Sequence, residues 1–142
     1  MEKIYIGIDP DVDKSGVAIR QGKEVFLFNY RFFDLYTILA QFKADIESEV
    51  VVVIECGYLN KGNWHKTTGS NSVNAQIGQR TGANHETAKK IVEMCEYLDL
   101  AYELVRPTKE KKNAAIFKAI TGYSKRTNAE VRDAAMLVFG RK

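Results

Sequence analysis

Residues 3–9, Lys-Ile-Tyr-Ile-Gly-Ile-Asp, form a short apolar run that ends in an acid, and their β-branched and aromatic content predicts a strand. Ser15 to Arg20 predicts a second strand and Glu24 to Tyr30 a third, with a turn at Gln21-Gly22-Lys23. Three strands joined by short connections make an antiparallel meander. Leu35, Ile38, Leu39, Phe42 and Ile46 recur at helical spacing, which predicts a helix over 34–46 with Asp34 as its cap. Val50 to Ile54 is an unbroken β-branched run, the pattern of a strand buried on both faces, and it ends at Glu55. Residues 57–71 are rich in Gly, Asn, Thr and Ser and predict a surface loop, which carries Trp64 and His65. A long helical pattern covers 72–98, a strand 101–105, a helix from a Thr108 cap to about Ile120, and a final helix 129–139 capped by Asn128. The order βββαβαβαα predicts a mixed five-stranded sheet, part meander and part parallel, with helices on both faces.

With 142 residues, the chain is about one domain's worth, and 1–142 is expected to be a single domain. It is 45% hydrophobic and 27% charged, an ordinary globular balance. No apolar run approaches the roughly 20 residues of a membrane span. Met1-Glu2-Lys3-Ile4 lacks a signal-peptide layout, and Cys56 and Cys95 have no metal or disulfide spacing. These features point to a cytoplasmic α/β domain in which both cysteines are small core residues. His85, beside Glu86, Lys89 and Lys90, is expected on a helix surface.

Charge is unevenly spread. Residues 1–60 carry 6 basic and 10 acidic side chains, residues 61–142 carry 15 and 8. Arg106, Lys109, Lys111, Lys112, Lys118, Lys125 and Arg126 cluster in the second half against one acid, Glu110. A basic segment facing carboxylates suits a polyanion held by one part and cut at another. A solvated, lysine-rich helix face has the same composition.

Asp9 and Glu55 each end a strand, where ligand chemistry collects in α/β sheets. Glu130 and Asp133 stand three apart on the last helix, hence on one face. Four converging acids would repel unless they held a hard cation, and Mg²⁺ takes carboxylate oxygens together with water and phosphate. Two such ions about 3.5–4 Å apart can stabilise both oxygens of a phosphodiester displacement. Each acid taken alone also fits a strand end facing water or a helix N-terminal dipole. Asp9-Pro10-Asp11-Val12-Asp13 is not a calcium loop, because Lys14 stands where its glycine belongs and Arg20 where its closing glutamate belongs. Lys14-Ser15 is not a phosphate loop, because Asp13 precedes the lysine.

Ile6-Gly-Ile-Asp-Pro10 with Ser15-Gly-Val-Ala18, Val52-Val-Ile-Glu55, Gln79-Arg-Thr-Gly-Ala83, Arg106-Pro-Thr-Lys109 and Glu130-Val-Arg-Asp-Ala-Ala135 resemble, in order, the motifs of RuvC-type Holliday junction resolvases. These belong to the ribonuclease H-like superfamily. The resemblance implies that fold and a crossover junction endodeoxyribonuclease that hydrolyses phosphodiesters of four-way DNA during recombination and repair. It implies Asp9, Glu55, Glu130 and Asp133 as catalytic metal ligands for two Mg²⁺ ions, with Mn²⁺ able to substitute. Lys109 and Lys112 would act at the cut phosphate, and Lys109, Lys111, Lys112, Lys118, Lys125 and Arg126 would contact DNA. Tyr58 falls where that family often stacks an aromatic on a base. The family is dimeric, and Gly78 and Gly82 suit either close helix approach across a dimer or close packing within the chain.

The turn after Asp9 departs from the family's Asp-Pro-Gly and leaves Asp11 and Asp13 as possible extra ligands. The short chain suggests a phage or mobile-element version. Rival readings are a same-fold nuclease for flaps, forks or RNA–DNA hybrids, a non-catalytic junction-binding module, and an actin-like phosphotransferase. The last needs two such domains and a Gly-Thr-rich phosphate turn.

Overall fold

A computed structural model describes residues 2–60 and 70–142. Trp64 and His65 lie outside the described residues. The elements are β1 (Glu2–Asp9), β2 (Ser15–Gln21), β3 (Glu24–Tyr30), α1 (Phe32–Ala44), β4 (Ser48–Glu55), a 3₁₀ turn (Gly57–Leu59), α2 (Asn71–Tyr97), β5 (Ala101–Val105), α3 (Ala114–Thr121) and α4 (Ala129–Val138). The sheet runs β3-β2-β1-β4-β5, with β1 antiparallel to β2, β2 antiparallel to β3, and β1, β4 and β5 parallel. The expected mixed five-stranded sheet is thus present.

Side-chain parity explains the two layers. Ile4, Ile6 and Ile8 of β1, Val17 and Ile19 of β2, and Val50, Val52 and Ile54 of β4 face α1 and α2, where they join Leu35, Leu39, Ile91, Met94 and both cysteines. The alternate positions Tyr5, Ala18 and Val53 face α3 and α4 and meet Phe117, Ala134, Ala135 and Val138. Asp9 and Glu55 share the parity of Tyr5 and Val53, so both side chains leave the sheet on the α4 side.

Two glycines let α4 lie close to the strands. A Cβ on Gly7 would run into the Ala134 carbonyl oxygen, and one on Gly16 into the Glu130 carbonyl oxygen. Any side chain there would lift the helix that carries Asp133 away from the strand that carries Asp9.

Three local expectations are corrected. Helix α1 begins at Phe32 behind Arg31. Asp34 therefore sits within the first turn, where its charge favours the helix dipole, and is not the cap. Ile46 lies beyond the helix and is exposed. Thr108 caps nothing: α3 starts at Ala114, where the Asn113 side chain accepts the Ile116 N–H, leaving 106–113 as an irregular basic loop. Asn128 does cap α4, through the Val131 N–H. A Cβ added at Gly78 or Gly82 would meet nothing within 4 Å among the described residues, so close packing of another element there is not observed among them.

Candidate metal centre

The parallel register pairs Ile8 with Ile54, the residues just before Asp9 and Glu55. The two carboxylates therefore emerge from neighbouring strands at one level and on one face. Asp133 descends on them from α4. Asp9, Glu55 and Asp133 each offer a carboxylate oxygen, and these oxygens lie within 4.8 Å of one another. Glu130, one turn earlier on α4, is outside this group of three but close enough to act on Asp9 electrostatically.

Crowding and burial show in the proton affinities. The Asp9 carboxyl is pushed up to about 8, first by burial, then by Glu55 and Asp133, with Lys111 opposing and Glu130 adding to the rise. Glu55 is also raised, mainly by burial, against the pull of Lys111. The Lys111 ammonium lies 3.4 Å from Glu55 and 3.3 Å from Asp133. Burial works against its charge, but the two acids outweigh burial and raise its pKa.

Lys111 is held over the site by its loop. Arg132 Nε donates to the Lys112 carbonyl at 3.0 Å while Nη1 donates to Thr127, and Asn60 donates to the Pro107 carbonyl. Arg132 and Asn60 escaped the sequence reading. Arg132 sits within the motif Glu130-Val-Arg-Asp, but nothing local reveals a partner 20 residues away. A cavity of about 260 Å³ adjoins the carboxylates, lined in part by Glu55, Asp133, Arg106, Lys111, Lys112 and Arg141.

The other sequence candidates lie elsewhere. Lys109 shares the loop with Lys111. Lys125 and Arg126 stand in the connection entering α4, and Lys118 is on α3; no described ion pair links any of these three to the carboxylates. Tyr58 rests on α2, with His85 edge-on to its ring at 6.4 Å and Lys89 Nζ 5.5 Å from the ring centre. Its hydroxyl is raised to about 12, chiefly by burial and then by Cys56. His85 is accordingly half-buried against Tyr58 and Gly57, not a free surface residue.

Asp11 and Asp13 do not join the carboxylate group. Arg80 of α2 grips Asp11 with both oxygens at 3.0 Å and Asp13 at 2.9 Å. Asp11 also accepts the Asp13 and Lys14 N–H groups, and Asn84 accepts the Val12 N–H. Both Asp11 oxygens and one of Asp13 are engaged in holding the turn.

No protein-family model matches the sequence, and no curated protein does. Solved structures do. Thermus thermophilus RuvC in complex with a Holliday junction substrate superposes with a TM-score of 0.52 at 13% identity, covering 95% of this chain and 89% of that one. A second Thermus thermophilus RuvC structure gives 0.51 at 12% identity, covering 94% and 90%. The chain therefore has the ribonuclease H-like fold of RuvC. Among the described residues, no helix is long and apolar enough to cross a membrane.

Proposed function

We propose that the chain is a divalent-metal-dependent endonuclease that hydrolyses phosphodiesters in four-way DNA junctions, acting over 1–142 as one nuclease domain. The observation that carries this reading is the meeting of Asp9, Glu55 and Asp133, from the first strand, the fourth strand and the last helix, within 4.8 Å. Three clustered carboxylates, two of them (Asp9 and Glu55) with raised proton affinity, paired among the described residues with the Lys111 ammonium, fit a hard cation better than they fit one another. Mg²⁺ held there supplies Lewis-acid stabilisation to the attacking and leaving oxygens of a phosphodiester.

The chain's own groups divide the remaining work. Asp9, Glu55 and Asp133 hold the ions, and Glu130 adds negative potential from the next turn of α4. Lys109, Lys111 and Lys112 offset backbone charge at the cut. Lys118, Lys125 and Arg126 grip flanking phosphates, so affinity falls as salt rises. Tyr58, tethered on α2, is a stacking surface for an unpaired base once Lys89 moves to phosphate. A homodimer presents two sites to a four-way junction, and the open faces at Gly78 and Gly82 support helix contact between copies.

The test offers labelled four-way junction, linear duplex, flap, fork and RNA–DNA hybrid side by side, with and without Mg²⁺. Paired nicks near the branch point of the junction, only with Mg²⁺, are expected. Preferential cutting of flaps, forks or hybrids would reassign the substrate, and binding without cutting in Mg²⁺ or Mn²⁺ would make the chain a junction-binding module.

A further inference from the structure

We propose that Lys111 is a built-in counter-ion that competes with divalent cations for Glu55 and Asp133, and that its release couples cation binding to capture of the DNA backbone. This rests on the nuclease reading above.

The Lys111 ammonium is within 3.4 Å of two of the three clustered carboxylates. A divalent ion bound at about 2.0–2.1 Å to the same oxygens needs the same lone pairs. The two cations would also stand a few ångströms apart with little water between them, which is strongly repulsive. Glu55 and Asp133 can therefore serve Lys111 or the ions, but not both fully.

Lys111 is able to leave. It sits on the irregular loop 106–113, and its flexible four-carbon stem moves without the backbone. The backbone is pinned on either side, at the Pro107 carbonyl by Asn60 and at the Lys112 carbonyl by Arg132. The adjoining cavity, lined by Arg106, Lys112 and Arg141 and also by Glu110, gives the side chain room to swing away from Glu55 and Asp133. Before cations arrive, Lys111 relieves repulsion among the acids. After they bind, the freed ammonium meets the DNA backbone. By linkage, cations then tighten DNA binding and DNA tightens cation binding by the same factor.

The test uses the intact protein and the Lys111→Met variant, which keeps the stem and loses the charge. Mn²⁺ binding is measured first without DNA. Lys111→Met is expected to bind Mn²⁺ about tenfold or more tightly than wild type, because the competitor is gone. Lys112→Met, its neighbour on the same loop, is expected to stay near the wild-type value. Lys111→Gln also removes the charge and should likewise bind Mn²⁺ more tightly, which preserves the test if the Met variant folds poorly without metal, while Lys111→Arg keeps the charge and should stay near wild type. Junction affinity is then compared in Ca²⁺ and in EDTA. Wild type should gain from Ca²⁺, and Lys111→Met should lose most of that gain. Equal Mn²⁺ affinity in wild type and Lys111→Met would overturn the competition while leaving the metal centre intact. Failure of wild type to bind Mn²⁺ at all would overturn both, so the two failures are distinguishable.

Discussion

Two acidic clusters stand at the same end of β1, and they behave differently. Asp11 and Asp13 meet Arg80, whose guanidinium splits its fork between them: Nη2 donates to both Asp11 oxygens and Nη1 to Asp13. Asp13 remains 73% exposed, so water shares the rest of its charge. Glu55 and Asp133 are only 12% and 18% exposed and share one lysine with Asp9 nearby. The first cluster is paired with a guanidinium and acts as a strut between the β1–β2 turn and α2. The second has more acid than base, less water and lone pairs to spare. Acid count does not distinguish a cation site from a brace; the ratio of acids to donors, taken with burial, does.

The largest effect should come from Asp9→Asn. It removes one carboxylate from the buried cluster of Asp9, Glu55 and Asp133. Cutting should fall on the order of 10³-fold or more, the several kcal/mol that held ions contribute. Junction binding in EDTA should persist, and a gel-shift beside a cleavage assay reads both. Full cutting by this variant would remove Asp9 from the chemistry.

Next is Gly16→Ala, which leaves every charge in place. Its Cβ would collide with the Glu130 carbonyl, so α4 must shift. A stability loss of about 1–3 kcal/mol by denaturant titration is expected, together with weaker Mn²⁺ binding as Asp133 moves off. Unchanged Mn²⁺ affinity would show that the register of α4 does not set the site.

The proton affinities give a third handle. Asp9 rises from an ordinary 3.8 to about 8 in the folded protein, so the folded state binds that proton more tightly than the unfolded state. Metal-free stability should therefore be greatest at low pH and fall as pH climbs from about 4 to 8, by at most about 1.4 kcal/mol per pH unit from this group. Stabilisation by added Mg²⁺ should grow over the same range, because a held ion must displace the proton. Thermal melts in EDTA and in Mg²⁺ at several pH values check both slopes, and Asp9→Asn should flatten them. A pH-independent metal-free melt would contradict the crowding of the three acids.

Arg80→Ala should have the smallest effect. It frees Asp11 and Asp13, loosens the turn and lowers the melting temperature slightly, with less difference at high salt. Mn²⁺ affinity at the buried cluster should not change measurably. A new Mn²⁺ site at Asp11 and Asp13 in this variant would show that the arginine alone separates brace from site.

Much of this was legible in the sequence. The apolar run of β1, rich in β-branched and aromatic residues, and the β-branched run of β4 place Asp9 and Glu55 at strand ends, and helical spacing puts Glu130 and Asp133 on one face. Periodicity finds such features because strand and helix repeats are local. It could not tell Asp133 from Glu130, because which residue of a helix face points at the sheet depends on how closely Gly7 and Gly16 let α4 approach. It could not assign Asp11 and Asp13, because their partner Arg80 lies 67–69 residues away. It misplaced the start of α3, because Thr108 and Asn113 are both good caps and only the hold of Asn60 and Arg132 on the loop between them decides. Among the basic residues, composition could not single out Lys111 from Lys109 and Lys112.

The proposed nuclease stands or falls on whether Asp9, Glu55 and Asp133 together hold divalent ions. Anomalous diffraction from crystals soaked in Mn²⁺ tests it most directly. One or two strong peaks are expected among these three carboxylates, with the Lys111 ammonium moved away from Glu55 and Asp133. Saturating Mn²⁺ that leaves the cluster without a peak, with Lys111 still in place, would contradict it.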